Sequence, residues 1–350
     1  MRVPLHLRVL PSAAFRAWFT PPPLPDRVAT ADAAATRDIE RFEVFTERGP
    51  VGGLVVGEGP TVLALHGWGG RAAQMAPVAR RLAADGFRVL MPDMPGRAGS
   101  ELTDIREFVT TANALIGVTG QPFGIVAHSL AAMSMRLLYA EASPPVAMVA
   151  PALSVADSLA TFALRLRMTS WASDGLRRRL EAWDPGVFEK LDGLHPSQLG
   201  DTPVLVLHDP HDRQAPFSSA AAFAALRPRT TLVPIEGGGH NGLLAQPGAS
   251  DAISEFFASV GSAAIRGDGL ASQQEAIELV GGVERDPMRG PLDPVVLPLG
   301  GDVICRGGHL LFGQGDVTVT PQAHHRNGAR RRPIRVRQQA TGMGVGAVPV

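Results

Sequence analysis

Three kinds of residue, far apart in the chain, could together activate a hydroxyl for attack on a carbonyl carbon. They are a serine, Ser129, a histidine, His240, and one of two aspartates, Asp209 or Asp212. Ser129 lies in IVAHSLAAMSM (125–135), between an apolar run and a helical pattern. These residues alone leave two readings open: a nucleophile presented on a sharp turn, or a small polar residue where a strand ends. A serine hydroxyl is a weak nucleophile unless a base takes its proton as it attacks. His240 follows three glycines in IEGGGH, a flexible loop able to carry an imidazole back over a sheet. An acid must then hold the imidazole tautomer and stabilise the imidazolium. Asp209 and Asp212 both stand just past the run PVLVLHD.

The elements that must position these groups follow from hydrophobic patterning. IERFEVFTERG and VGGLVVGEG, with a turn at Gly49-Pro50, predict an antiparallel hairpin. Short apolar runs then alternate with helical patterns: TVLALHG (61–67), FRVLMPD (87–93), FGIVAHS (123–129) and VAMVAPA (146–152), later TPVLVLHD (202–209) and TTLVPIE (230–236). Continuous apolar runs bounded by turns suit strands buried on both faces, and their alternation with helices predicts an α/β domain on a mostly parallel sheet. Residues 1–38, proline-rich and then alanine-rich, read as a lead-in. The core is expected over 39–152 and 203–261. Residues 153–202 read as helices only, a cap inserted at the strand ends. From 262 to 350 no period is sustained. That segment is expected to be a disordered tail or an out-of-frame extension, with short strands conceivable in DVICRGGHLLFGQGDVTVT.

Composition narrows the classes. Lys plus Arg and Asp plus Glu number 33 each, so no basic footprint points to nucleic acid or an anionic membrane. The arginines at 330–332, 335 and 337 read as a solvated tail. The single cysteine, Cys305, allows neither an intramolecular disulfide nor a zinc ribbon. The N-terminus is interrupted by Pro4, His6, Arg8 and Pro11, which argues against a secretory signal, and no apolar run approaches the length of a membrane span. The expectation is a cytoplasmic protein with no cofactor, no metal and a small-molecule substrate.

Four separated motifs, in order, carry a resemblance: LHGWGG (65–70), PDMPGRAGS (92–100), AHSLA (127–131), and the pair HDPHDRQAP (208–216) and EGGGHN (236–241). Together they resemble the α/β-hydrolase superfamily over residues 39–261. Serine, then aspartate, then histidine is that family's chain order. The resemblance implies an oxyanion loop at 65–70, a nucleophile elbow at Ser129 and a histidine base at His240. The family pattern G-x-x-D-x-x-x-P, with Pro216 as its proline, places the acid at Asp212. Asp209 then stands in for the usual turn glycine, Asp93 orders the PGRAGS loop, and His128 is structural. The implied oxyanion donors are the backbone N–H groups of Trp68 and Leu130. One departure is that alanines, Ala127 and Ala131, stand where the elbow usually has glycines.

The implied activity is that of a serine hydrolase cleaving a carboxylic ester of a small to medium apolar substrate. The same triad serves acyltransferases and cofactor-free haloperoxidases, and a non-catalytic binder is a further alternative. Dehalogenases and epoxide hydrolases of this fold use an aspartate where this chain has Ser129. From the cap, Phe162, Trp171 and Trp183 are the candidate substrate contacts, and Arg165, Arg167 and 177–179 read as a solvated face.

Overall fold

The computed structural model describes residues 10–46, 49–97, 103–138, 143–191, 201–266, 296–297, 304–306, 309–312 and 315–317. Two helices come first, α1 (Pro11–Trp18) and α2 (Asp26–Ala35), within the segment read as a lead-in. The expected hairpin follows as β1 (Glu40–Thr46) and β2 (Gly49–Val56), paired antiparallel from Glu40↔Val55 to Thr46↔Gly49. Then strands and helices alternate: β3 (Thr61–Leu65), α3 (Ala76–Ala84), β4 (Arg88–Pro92), α4 (Ile105–Thr119), β5 (Gly124–His128), α5 (Leu130–Leu138) and β6 (Val146–Val149). Three helices without a strand separate β6 from the rest: α6 (Val155–Arg165), α7 (Ser170–Trp183) and α8 (Val187–Lys190). The alternation resumes with β7 (Val204–His208), α9 (Phe217–Ala225), β8 (Thr230–Pro234), the single turn α10 (Gly239–Gly242) and α11 (Pro247–Arg266).

The strands form one sheet in the order β8-β7-β6-β5-β3-β4-β2-β1. All neighbours from β8 to β4 are parallel, and β2 joins β4 antiparallel. A two-residue strand, β9 (Val296–Leu297), lies parallel to β1 at the edge. A separate antiparallel sheet is made by β10 (Ile304–Arg306), β11 (His309–Phe312) and β12 (Gly315–Val317). The other residues of 267–350, on which the expectation of a disordered tail mainly falls, lie outside the described residues, as do 98–102 in the PGRAGS region.

Alternation along each buried strand sorts its side chains between two cores, because successive residues point to opposite faces. Leu63, Ile125, Ala127, Met148 and Val206 pack with α4, α5 and α9 through Phe108, Leu115, Met135 and Phe223. Val62, Ala64, Val126, Ala147 and Leu207 pack with α3 and α11 through Val78, Leu82, Ile253 and Phe257. That is why the central strands read as unbroken apolar runs. A third cluster joins Met133 of α5 to α6, α7 and α8 through Val155, Leu176, Leu180 and Val187, and Ala14 of α1 is buried in it. The chain crosses from β3 to β4 on one side and returns to β5 on the other. In open parallel sheets such a switch point, at the carboxyl ends of the strands, is where ligands bind.

Phe257 is fully buried, packed with Phe87 and Phe123 at ring separations of 6.1 and 6.0 Å. Phe257→Ala should therefore lower unfolding free energy by about 3–5 kcal/mol. Leu226→Ala, at a side chain 49% exposed, should change it by no more than about 0.5 kcal/mol. Urea titrations of the two variants would check the contrast.

Candidate active site

Ser129 occupies the turn between β5 and α5, with a φ of 53° that only a constrained non-glycine residue adopts. Its N–H donates to the Val149 carbonyl at 3.1 Å, and its carbonyl accepts from Ala132 and Ala152 at 3.0 and 3.1 Å. Both backbone polar groups of Ser129 are thus held by their surroundings. The alanines flanking the motif fit, since Ala127 and Ala131 are wholly buried in the core. Gly67 comes so close that a Cβ there would lie 2.7 Å from Ser129 Cβ and 3.0 Å from the His128 carbonyl. A side chain at that position would force the 66–70 loop away from the serine.

His240 reaches Ser129 from the far end of the chain. Its Nε2 lies 2.8 Å from Ser129 Oγ, and its Nδ1 lies 2.8 Å from Asp212 Oδ2. This network assigns the tautomer: Nδ1–H donates to the carboxylate, and Nε2 accepts the serine hydroxyl. Asp212 is buried, and its Oδ1 accepts the N–H groups of Gln214 and Ala215 at 2.7 and 3.2 Å. Burial pushes its carboxyl up. Hydrogen bonds from His208 and His240 outweigh that effect and hold it well below the ordinary carboxylate range. His208 Nε2 stands 3.4 Å from Asp212 Oδ2 and 3.1 Å from the Ala215 carbonyl, so a second imidazole faces the same acid.

Asp209 closes its own turn and also reaches the loop before His240. Its Oδ1 accepts from His211 N–H at 2.8 Å, and its Oδ2 accepts from Gly239 N–H at 2.6 Å, next to His240. Those backbone donors hold its carboxyl below the ordinary range. His128 secures the same loop from the other side, its Nε2–H donating to the His240 carbonyl at 3.1 Å. His66 fixes the 66–70 loop: Nδ1–H donates to the Gly67 carbonyl at 2.8 Å, and Nε2 accepts Met94 N–H at 2.9 Å. Asp93 accepts Ala72 N–H at 2.9 Å, so its side chain acts on the segment after that loop. Leu130 is the first residue of α5, so its N–H has no carbonyl a turn earlier within the helix. Trp68, directly after Gly67, lines the same space as Leu130 and Ser129.

That space is a cavity of about 570 Å³ over Ser129 and His240. Phe162 and Trp183 line it. Trp171 does not: it is 57% exposed, at the start of α7 beside the buried stripe of Ala172, Leu176 and Leu180. Arg165 lines the rim and donates to Gln214 Oε1 at 3.0 Å. The sequence reading missed the contribution from before the core, where Trp18, Phe19, Thr20 and Pro22 are also lining residues. The signal was available. Phe15, Trp18 and Phe19 cluster in a chain that is 5% aromatic, and three of its four tryptophans face this one cavity. Among the described residues no group of three His, Cys, Asp or Glu side chains is placed to hold a metal ion.

Two of the supporting histidines are buried in their neutral form. Burial pulls His66 down to about 4, and His128 to about 3, with the nearby His240 adding to the second shift. An unfolded chain protonates both near 6.5, whereas the folded chain does not, so stability falls as pH drops from about 6.5 toward 4. His128→Asn, which removes one such group, should flatten that fall by about 1.4 kcal/mol per pH unit. Urea midpoints compared between pH 6 and 4.5 would show it.

None of the curated proteins compared with the chain matches it. Solved structures do. A membrane phospholipase A, described as a bacterial virulence factor, is 18% identical over 71% of this chain and 92% of its own, with a TM-score of 0.50. The esterase Pf2001 of Pyrococcus furiosus is 16% identical over 69% of this chain and 99% of its own, also with a TM-score of 0.50. At such identities the likeness is one of fold. Residues 62–252, more than half of the sequence and the stretch that carries the whole Ser129–His240–Asp212 arrangement, match the alpha/beta hydrolase family, and the chain belongs to that family.

Proposed function

We propose that the protein is a serine hydrolase that cleaves a carboxylic ester of a small to medium apolar substrate through an acyl-enzyme. The observation that carries this is the unbroken pair of 2.8 Å contacts from Asp212 through His240 to Ser129 beneath an open cavity. Ser129 Oγ attacks the ester carbonyl carbon while His240 Nε2 takes its proton. Asp212 keeps Nδ1 protonated and stabilises the imidazolium. The N–H groups of Trp68 and Leu130 serve the oxyanion, on the side where Gly67 lets the loop approach the serine. Collapse expels the alcohol, which leaves with the proton from Nε2. Water then repeats the sequence on the acyl-enzyme, giving its proton to Nε2, and Ser129 recovers that proton as the acid departs.

Two experiments test this. A fluorophosphonate should modify Ser129 alone among the chain's serines, and Ser129→Ala should abolish both labelling and ester turnover while the fold survives. Peptide mapping that finds the probe on another serine, or none at all, would sink the catalytic reading in favour of a binding protein. The second experiment separates the aspartates. Asp212→Asn should lower kcat by about 10⁴-fold, the loss typical when the orienting acid of a triad is neutralised. Asp209→Asn keeps one carbonyl oxygen for the loop N–H groups and should cost far less. The reverse ranking would make Asp209 the acid.

A further inference from the structure

We propose that the end of α1 and the segment after it form the wall that sets acyl-chain length in the cavity, with Trp18 and Phe19 as its specificity-determining residues. The substrate class this implies is an ester of an apolar acyl chain. The inference rests on the serine-hydrolase reading above for its chemistry, although not for the shape of the cavity.

Both rings are wedged between the first helix and the helices of the α6–α8 layer. The Trp18 ring meets Phe162 edge-on at 5.1 Å, and Phe19 meets Trp183 at 4.8 Å. The Arg106 guanidinium stacks on Trp183 at 4.3 Å. The backbone is tied down as well, since Phe19 accepts Thr103 N–H at 3.1 Å. Pro22 lies against Gly69, where a Cβ would come within 2.6 Å of the proline ring. Further on, Asp32 pairs with Arg71 through both carboxylate oxygens, joining α2 to the chain just past the 66–70 loop. A segment fixed at this many points presents a defined surface, so removing a ring leaves space in place of a collapsed wall.

The chemistry of the surroundings sets the substrate class. Ile105, Met133, Leu180, Val187 and Leu191 line the cavity along with the two rings. Two of the charged lining residues are already matched: Arg71 by Asp32, and Asp104 by Arg106 at 2.8 Å. Arg165, at the rim, donates to the neutral Gln214. Along the apolar lining each methylene buried should raise kcat/KM about fourfold until the wall is met.

The test is a series of p-nitrophenyl esters of straight-chain acids, together with a monoester of a dicarboxylic acid. It would be run on the full chain and on Trp18→Ala and Phe19→Ala. Selectivity should peak at one chain length in the parent and move to longer chains in both variants. The first ester beyond the old optimum should gain about fourfold or more in kcat/KM per methylene admitted. Variants that rescale every ester by the same factor, or a preference for the dicarboxylic monoester, would overturn the proposal. If either alanine variant fails to fold, Trp18→Phe and Phe19→Leu must shift the optimum in the same direction; no shift overturns it. Binding of straight-chain alcohols to Ser129→Ala, with and without Trp18→Ala, measures the wall without turnover. A length-dependent shift there, alongside no ester hydrolysis and no fluorophosphonate labelling in the parent, would keep the wall and discard the catalytic reading. Turnover with an unmoved length profile would do the reverse.

Discussion

The whole arrangement depends on one constrained residue. Ser129 turns the chain from the end of β5 into α5 with a positive φ, a conformation that costs energy for a residue with a Cβ. It persists because Val149, Ala132 and Ala152 hold both its backbone groups, and because the strands on either side are buried on two faces. Relaxing the turn would break hydrogen bonds in the interior of the sheet. The strain is therefore supported by the most deeply packed part of the molecule, and the hydroxyl stands clear of both the strand and the helix.

Around that hydroxyl the fold places three buried imidazoles besides His240, and none is spent on solvent. His66 holds the loop that passes beside the serine, His128 holds the carbonyl of His240, and His208 faces the acid. Each makes a hydrogen bond that an apolar residue could not. His240 is thereby fixed through its carbonyl by His128 and through its ring by Asp212, while Asp209 holds the neighbouring Gly239 N–H. The orientation of its ring is thereby set on folding.

Much of this was legible in the sequence. The parallel sheet could be read because central strands such as GIVAH and VLVLH are buried on both faces and so carry no polar alternation. Ser129 and His240 stood out because each follows a strand, and Asp212 was separated from Asp209 only by the family pattern that ends at Pro216; the structure brings the three side chains together. The direction of single side chains could not be read. Trp171 differs from Trp183 only by its place around α7, and one points to solvent while the other lines the cavity. The first two helices looked like a lead-in because local patterning reports that a residue is buried, not which distant wall it completes. Asp209 looked like a turn residue for the same reason, since its bond to Gly239 spans two elements.

The way Trp18 and Phe19 are attached has a consequence for how such a protein can change. The groups around Ser129 hang on strand ends and backbone hydrogen bonds, where almost any substitution disturbs a neighbour. The Trp18 and Phe19 side chains pack ring against ring while the backbone that carries them is anchored separately, so one ring can be exchanged for another shape without touching the sheet. On the proposal above, exchange of those rings remodels what the cavity accepts while the turn at Ser129 stays as it is, so the two properties are carried by different stretches of the same polypeptide.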